Sequence, residues 1–365
     1  MNNRIKSQQK NWFSDRISSL GEIEAKLTGR YLVKNWLEPG SVSLLYGPSN
    51  SGKSLVALDL AMHVAAGHDW HGNKVRGRNG RSGQVLYFCS EGTQGFNNRI
   101  SAVEIWGPEL YTNAKLDDGF LLYPGAVDLS DRRIVDEIVE QLHEQNFTPE
   151  LIIIDTLARN FGHGEENSTT DMVAFINCVD DLVNAFDAHV MIVHHSGKDR
   201  SKNARGSSAL NAAVSTEIKV TGGRGKSITI EDTKQRDLSG GEKLTFRIES
   251  ASLGADEDGE IVTAPYIVFE KDGAANSDAT VLKGQPGRAL NVLRGLANAR
   301  NGSAGHSGAS KPEWVNKNEW RAACDELPLS SGPSASAPST AFGRAVENLE
   351  TANAVKIDGD YVRLA

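Results

Sequence analysis

The stretch Gly47-Pro48-Ser49-Asn50-Ser51-Gly52-Lys53-Ser54 fits the pattern G-x-x-x-x-G-K-[ST] at every position. Its glycines let the backbone curl until successive N–H groups face phosphate oxygens. Lys53 then reaches the β- and γ-phosphates, and the Ser54 hydroxyl can ligate Mg²⁺. Such a loop works only between a strand and a helix, and both are written in the flanking residues. Ser41-Val-Ser-Leu-Leu-Tyr46 is a short apolar run of strand formers. Leu55, Leu58, Ala61, Met62 and Ala65 recur at helical spacing, and Gly67 supplies a stop. The positive end of that helix adds to the anion site. An α/β protein that binds a nucleoside triphosphate through residues 47–54 is the expectation.

A chain of 365 residues has room for a large domain and a smaller one. Its formal charge of −8 argues against a broadly basic, nucleic-acid-coating surface, but leaves room for a narrow basic channel. Cys89, Cys178 and Cys324 lie far apart without metal-ligand spacing, which points to a reduced, cytoplasmic protein. Residues 1–10 are polar and lack a signal-peptide core. No apolar run approaches the ~20 residues that cross a membrane, so no membrane contact is expected.

Residues 1–30 read as a polar leader. From 31 to 272 strands alternate with helices, as in a mostly parallel sheet. Val85–Cys89, Leu151–Ile154 and His189–Val193 are apolar runs of the kind buried in such sheets. Helices are expected near 130–146 and 171–187, the second capped by Asp171. Beyond 213, the short alternating runs Thr216–Thr221, Ser227–Thr233, Leu244–Ile248 and Tyr266–Glu270 predict an antiparallel extension. The small, polar residues 273–287 predict a linker. Beyond it come helices at 288–300, 317–327 and 339–351, then a hairpin over 355–364 turning at Asp358-Gly359. That order is a winged helix, so 288–365 is expected to be a small winged-helix-like domain.

Hydrolysis of a phosphoanhydride needs a held Mg²⁺, a group that positions water, and positive charge at the γ-phosphate. Ligands of open α/β sheets sit at the strands' carboxyl ends, so those ends carry the candidates. Asp155 ends Leu151–Ile154, where an acid can hold Mg²⁺ together with Ser54. Glu91 follows Val85–Cys89, where a carboxylate can polarise water. His194 and His195 follow Val190–Val193, where an imidazole can sense the γ-phosphate. Next comes SGKDRSKNARG, residues 196–206, with Lys198, Arg200, Lys202 and Arg205 against the single acid Asp199. A glycine-flanked basic loop suits phosphate contact, from nucleic acid or a neighbour's nucleotide. Lys234 and Arg236, two apart on an extended segment, point to one side and suit insertion into an adjacent subunit.

Taken in order, GPSNSGKS, SEG with Arg99 downstream, LIIIDTLAR, MIVHHSGKD, ARGSSAL and TKQRD resemble the RecA-like ATPase core of hexameric replicative helicases. RepA-type plasmid helicases and their phage relatives, with AAA-type cores of this kind, are the nearest in pattern. The resemblance spans roughly residues 30–272. It implies a ring, usually of six, with ATP and Mg²⁺ between subunits and single-stranded DNA through the centre. Lys53, Ser54, Glu91 and Asp155 would form one half-site, with Glu91 the catalytic base and His195 the sensor. Arg205 matches the RepA-type arginine finger, whereas Lys234 and Arg236 match the K-x-R pair of DnaB-like helicases; both remain candidates for the finger. The central loops would be 157–170 and 196–206.

Two features depart from that pattern. The first central loop carries Glu165 and Glu166, which disfavour a phosphate backbone. Residues 288–365 hold nine basic and eight acidic residues, and Glu347 and Glu350 accompany Arg344 on the last helix. That balance suits docking to another replication protein, or loose DNA contact, as well as base reading. The rival readings are a recombination ATPase of the RecA/KaiC group and an ATP-gated winged-helix regulator.

Overall fold

The computed structural model describes residues 18–20, 30–78, 80, 82–106, 119–195, 208–223, 226–270, 289–290, 292–293, 296, 314–326, 337–351 and 354–364. Most of the leader, the 273–287 linker and the 196–206 loop lie outside these, and with that loop go Lys198, Arg200, Lys202 and Arg205.

The first half of the fold runs β1 (Val42–Gly47), α1 (Lys53–Ala66), β2 (Val85–Cys89), α2 (Thr93–Trp106), β3 (Phe120–Pro124), α3 (Arg132–Glu144), β4 (Leu151–Asp155), α4 (Leu157–Asn160), α5 (Thr169–Phe186) and β5 (His189–His195). Then follow α6 (Ser208–Ala213), β6 (Thr216–Gly223), β7 (Lys226–Gln235), β8 (Leu244–Ala255) and β9 (Ile261–Glu270). These strands form one nine-stranded sheet in the order β3-β2-β4-β5-β1-β6-β7-β8-β9. From β3 to β6 every pairing is parallel, and from β6 to β9 every pairing is antiparallel. This is a RecA-like P-loop fold. β6 is the seam, parallel to β1 on one side and antiparallel to β7 on the other, where the sequence suggested only antiparallel pairing.

Both faces of the central parallel strands β1, β2, β4 and β5 are covered, which is why these strands are largely apolar. Strand side chains alternate between the faces. Leu151 and Ile153 pack with α1, Trp36 and Trp70, whereas Ile152 and Ile154 pack with Phe175, Val179 and Leu182 of α5. α1 ends as expected: Gly67 sits at φ 68, and its N–H bonds to the carbonyls of His63 and Val64. α5 is capped by Ser168, whose side chain accepts from the Asp171 N–H, so Asp171 is in the first turn and is not the cap. β8 and β9 extend well past the expected runs, joined through a turn with Gly259 at φ 80.

Residues 289–364 contain β10 (Val315–Asn316), α7 (Lys317–Glu326), α8 (Ala337–Thr351), β11 (Val355–Asp358) and β12 (Tyr361–Leu364). The strands form a sheet in the order β10-β12-β11. The hairpin turns at Gly359-Asp360, one residue later than expected, because Asp358 pairs with Tyr361. Trp320, Phe342, Leu349 and Val362 share a core, and the Trp320 indole donates to the Ala289 carbonyl at 2.6 Å. Among the described residues no helix is long and apolar enough to cross a membrane.

Candidate functional site

The loop between β1 and α1 brings the first group of residues together. Asn50 at φ 61 and Gly52 at φ 94 turn the backbone through the left-handed region. A Cβ on Gly47 would stand 2.2 Å from the Val220 carbonyl oxygen, and one on Gly52 would stand 2.2 Å from Ile228 Cδ1. Only glycine fits either place. Lys53 is buried, and its ammonium donates to the carbonyls of Gly47 (3.1 Å) and Pro48 (2.8 Å). Burial pushes Lys53 down to about 8, against the pull of Asp155 and Glu91.

Alternation along β4 decides where Asp155 points. It has the parity of Leu151 and Ile153, so it emerges on the face of α1. There it is hydrogen-bonded to Ser54, from the first turn of α1. Tyr87 of β2 shares that face and donates its hydroxyl to Asp155 Oδ2 at 2.8 Å. Burial holds the Asp155 carboxyl above the usual range, although the Tyr87 and Ser54 hydrogen bonds lower it. Asp155 Oδ1 and Ser51 Oγ are buried with no hydrogen-bond partner among the described residues. Buried oxygens of this kind call for a ligand. With the glycine cradle and a cation held only by its own loop's carbonyls, the site fits a nucleotide with a divalent metal. Ser54 and Asp155 are the residues placed to hold that metal.

Glu91 leaves the end of β2 beside β4. Its Oε1 accepts from Thr156 Oγ1 at 3.3 Å and lies 3.7 Å from Arg159 Nε. The buried Asn160 side chain fixes this corner by donating to Ser90 Oγ (2.7 Å) and the Thr156 carbonyl (2.8 Å), and its own carbonyl accepts from Val127 N (3.1 Å). The Ser90 N–H bonds the Asp155 carbonyl at 2.8 Å. Of the segment 157–170, Leu157, Asn160 and Phe161 are anchored in the core.

The two adjacent histidines separate by strand parity. His194 is buried, level with Tyr46, while His195 is level with Gly47, and its Nδ1 lies 3.4 Å from Ser49 Oγ. Burial first, and then the Lys53 charge, push the His195 imidazole below its ordinary value.

Lys234 and Arg236 stand elsewhere. The Lys234 ammonium is held by the carbonyls of Asn211 and Val214 (2.7 Å to the latter), and Arg236 donates to Ala212 O at 3.1 Å. All three carbonyls belong to the C-terminal end of α6 and the residue beyond it. Gln235 is level with Thr216, at the start of β6, which is the sheet edge away from Gly47. The structure therefore groups Lys53, Ser54, Glu91, Asp155 and His195, and sets the Lys234/Arg236 pair apart. Tyr87, Thr156, Arg159 and Asn160 were not singled out from sequence. Only Tyr87 carried a signal, a phenol inside the buried run Val85–Cys89 whose hydroxyl needs a partner. A family model described as an AAA domain matches residues 18–201, half of the chain, and takes in the loop, Glu91, Asp155 and His195.

Proposed function

The chain belongs to this AAA-domain family and carries its P-loop ATPase fold, and from that premise we propose that it is an ATP-driven helicase or translocase on single-stranded DNA, assembled as a ring. The observation that carries this reading is the division of cations between opposite edges of the sheet. The Arg236 N–H bonds Ser215 O, and the Ser215 N–H bonds Val42 O, so Arg236 is level with the start of β1. Five residues separate Val42 from Gly47, about 16 Å at ~3.3 Å per residue. That exceeds an arginine's length, so neither Arg236 nor Lys234 serves its own subunit's phosphates. A second subunit packed edge to edge would receive them.

Each residue then has a task. Ser54 and Asp155 would hold a Mg²⁺ bound with the nucleotide, which would supply charge compensation for the phosphates. Lys53 leaves the carbonyls of Gly47 and Pro48 for phosphate oxygens. Tyr87 keeps Asp155 oriented, and Glu91 orients the attacking water and takes its proton. His195, beside Ser49 and at the head of the 196–206 loop, couples the state of the phosphate site to that loop. Lys198, Arg200 and Lys202 would contact backbone phosphates of DNA, while Arg205 or the Lys234/Arg236 pair completes the neighbouring site.

ATP turnover with and without single-stranded DNA, read beside the particle mass, tests the proposal. A multimer with DNA-stimulated turnover and strand displacement supports it; a monomer indifferent to DNA ends it. A nucleoprotein filament would transfer the reading to the recombination ATPases. We also propose that residues 288–365 form a winged-helix-like docking module for another replication protein, in keeping with their separate core and balanced charge. Loss of strand displacement in a chain lacking 274–365, with a specific duplex bound by the full chain, would favour the regulator reading instead.

A further inference from the structure

α1 carries a second cluster, remote from the phosphate loop in role. Asp59 is a carboxylate 8% exposed in the middle of a helix most of whose other buried residues are apolar. One turn later His63 lies on the same face, with Nδ1 3.7 Å from Asp59 Oδ1. His71 comes back to them through a tight turn in which Trp70 and Asn73 exchange backbone hydrogen bonds. His71 itself sits at φ 48, an uncommon conformation for a side chain that is not glycine. Its Nε2 ends 2.8 Å from Asp59 Oδ2. One ligand atom from each of Asp59, His63 and His71 lies within 4.8 Å of the other two.

We propose that Asp59, His63 and His71 form a structural site for a divalent transition-metal ion, with Zn²⁺ the best fit. Two imidazoles and one carboxylate are a donor set for such ions, not for Mg²⁺ or Ca²⁺. Two ligands on a tetrahedral Zn²⁺ stand about 3.3 Å apart, given bonds of ~2.0–2.1 Å. The 2.8 Å between His71 Nε2 and Asp59 Oδ2 falls just short of that figure, and the 4.8 Å limit on the whole group lies not far above it, so small side-chain adjustments admit the ion. The surroundings are those that orient metal ligands. His63 Nδ1 donates to the Asp59 main-chain carbonyl at 2.8 Å, which leaves the ring's electron pair on Nε2. Trp70 Nε1 donates to Asp59 Oδ2 at 2.8 Å and fixes the carboxylate. Phe269 stacks on His71 at 4.9 Å, and Phe246 meets its edge at 5.1 Å, fixing the ring and leaving a water to supply the fourth ligand. The ion would tie the turn at 70–73 to the phosphate-loop helix beneath β8 and β9.

The test uses tag-free, nucleotide-free full chain, stripped with a chelator and then exposed to Zn²⁺ or Co²⁺. About one Zn²⁺ per chain should survive gel filtration, and the melting temperature should rise by several degrees. The Co²⁺ form should show the intense visible bands of four-coordinate cobalt. H71Q and the double variant H63Q/H71Q should lose binding, while D155N, altered only at the phosphate site, should keep it. Should the double variant fail to fold, the unmodified chain still decides. Less than a tenth of an equivalent bound with no cobalt bands, or binding that persists in H71Q, would overturn the proposal and leave a hydrogen-bonded cluster alone.

Discussion

Raising the pH from 7 to 9 should cost the protein about a factor of ten in ATP affinity, through Lys53 alone. In the empty site burial holds that ammonium at about 8, where a free lysine lies near 10.4. Bound triphosphate supplies several negative charges and lifts the value well above 9. Affinity should then scale with the protonated fraction of the empty site, about nine-tenths at pH 7 and one-tenth at pH 9. The tenfold ratio corresponds to ~1.4 kcal/mol. The neighbours are silent across this window. Burial pushes Cys89 up to about 11, Tyr87 is raised well above its ordinary value, and His195 is pushed down. Isothermal titration with a non-hydrolysable ATP analogue at constant free Mg²⁺ measures the slope. K53M should bind weakly at every pH with no slope. A flat profile in the unmodified chain, or an equal slope in K53M, would refute the argument.

Y87F removes the phenol that donates to Asp155 Oδ2. Leaving that buried oxygen short of a donor should cost about 1–3 kcal/mol in a melting experiment, and the Mg²⁺ needed for half-maximal turnover should rise about tenfold or more. An unchanged Mg²⁺ requirement would make Tyr87 merely a packing residue. G52A meets Ile228 at 2.2 Å and a φ of 94, whereas G259A has a φ of 80 with nothing within 4 Å. G259A should therefore cost only about 1–3 kcal/mol of backbone strain, and G52A should add loss of ATP binding, read as absent ligand-induced thermal shift. R236A should leave ATP binding within about threefold but lower turnover by about 10³-fold. Mixing R236A with K53A subunits should restore part of it, since each intact phosphate site can then meet an intact arginine; no recovery on mixing speaks against an interface site.

What could be read from sequence follows the physics of burial. β1, β2, β4 and β5 are continuous apolar runs because helices cover both faces, and the phosphate loop is legible because few residue types can line it. β3 escaped because Phe120–Pro124 is a half-exposed edge strand with a proline in it. α2 escaped because TQGFNNRISAVEIW mixes a glycine and polar residues into its turns. Asp155 and Glu91 were legible as strand ends, but their partners were not. Tyr87–Asp155 depends on β2 pairing with β4 in one register, and Arg159–Glu91 on the short helix that follows β4. Asp59 and His63 have visible helical spacing, but His71 joins them only through a left-handed turn that the residue type does not announce.

The same residues imply that ATP binding moves protons. Empty, the site buries an ammonium and a carboxyl, and burial drives both toward their neutral forms: Lys53 down, Asp155 up. Nucleotide and metal reverse both pressures. Phosphate favours the charged lysine, so binding draws a proton in; metal favours the charged carboxylate, so binding expels whatever proton it holds. The two have opposite signs, and the lysine's share follows its half-protonation at about pH 8. Binding at pH 8 should therefore take up about half a proton, rising toward one by pH 9. Titrations in buffers of different ionisation enthalpy read that number as a slope. A slope of zero at pH 8 would mean that Lys53 enters the complex already fully charged, and that the carbonyls of Gly47 and Pro48 compensate its burial in the empty loop.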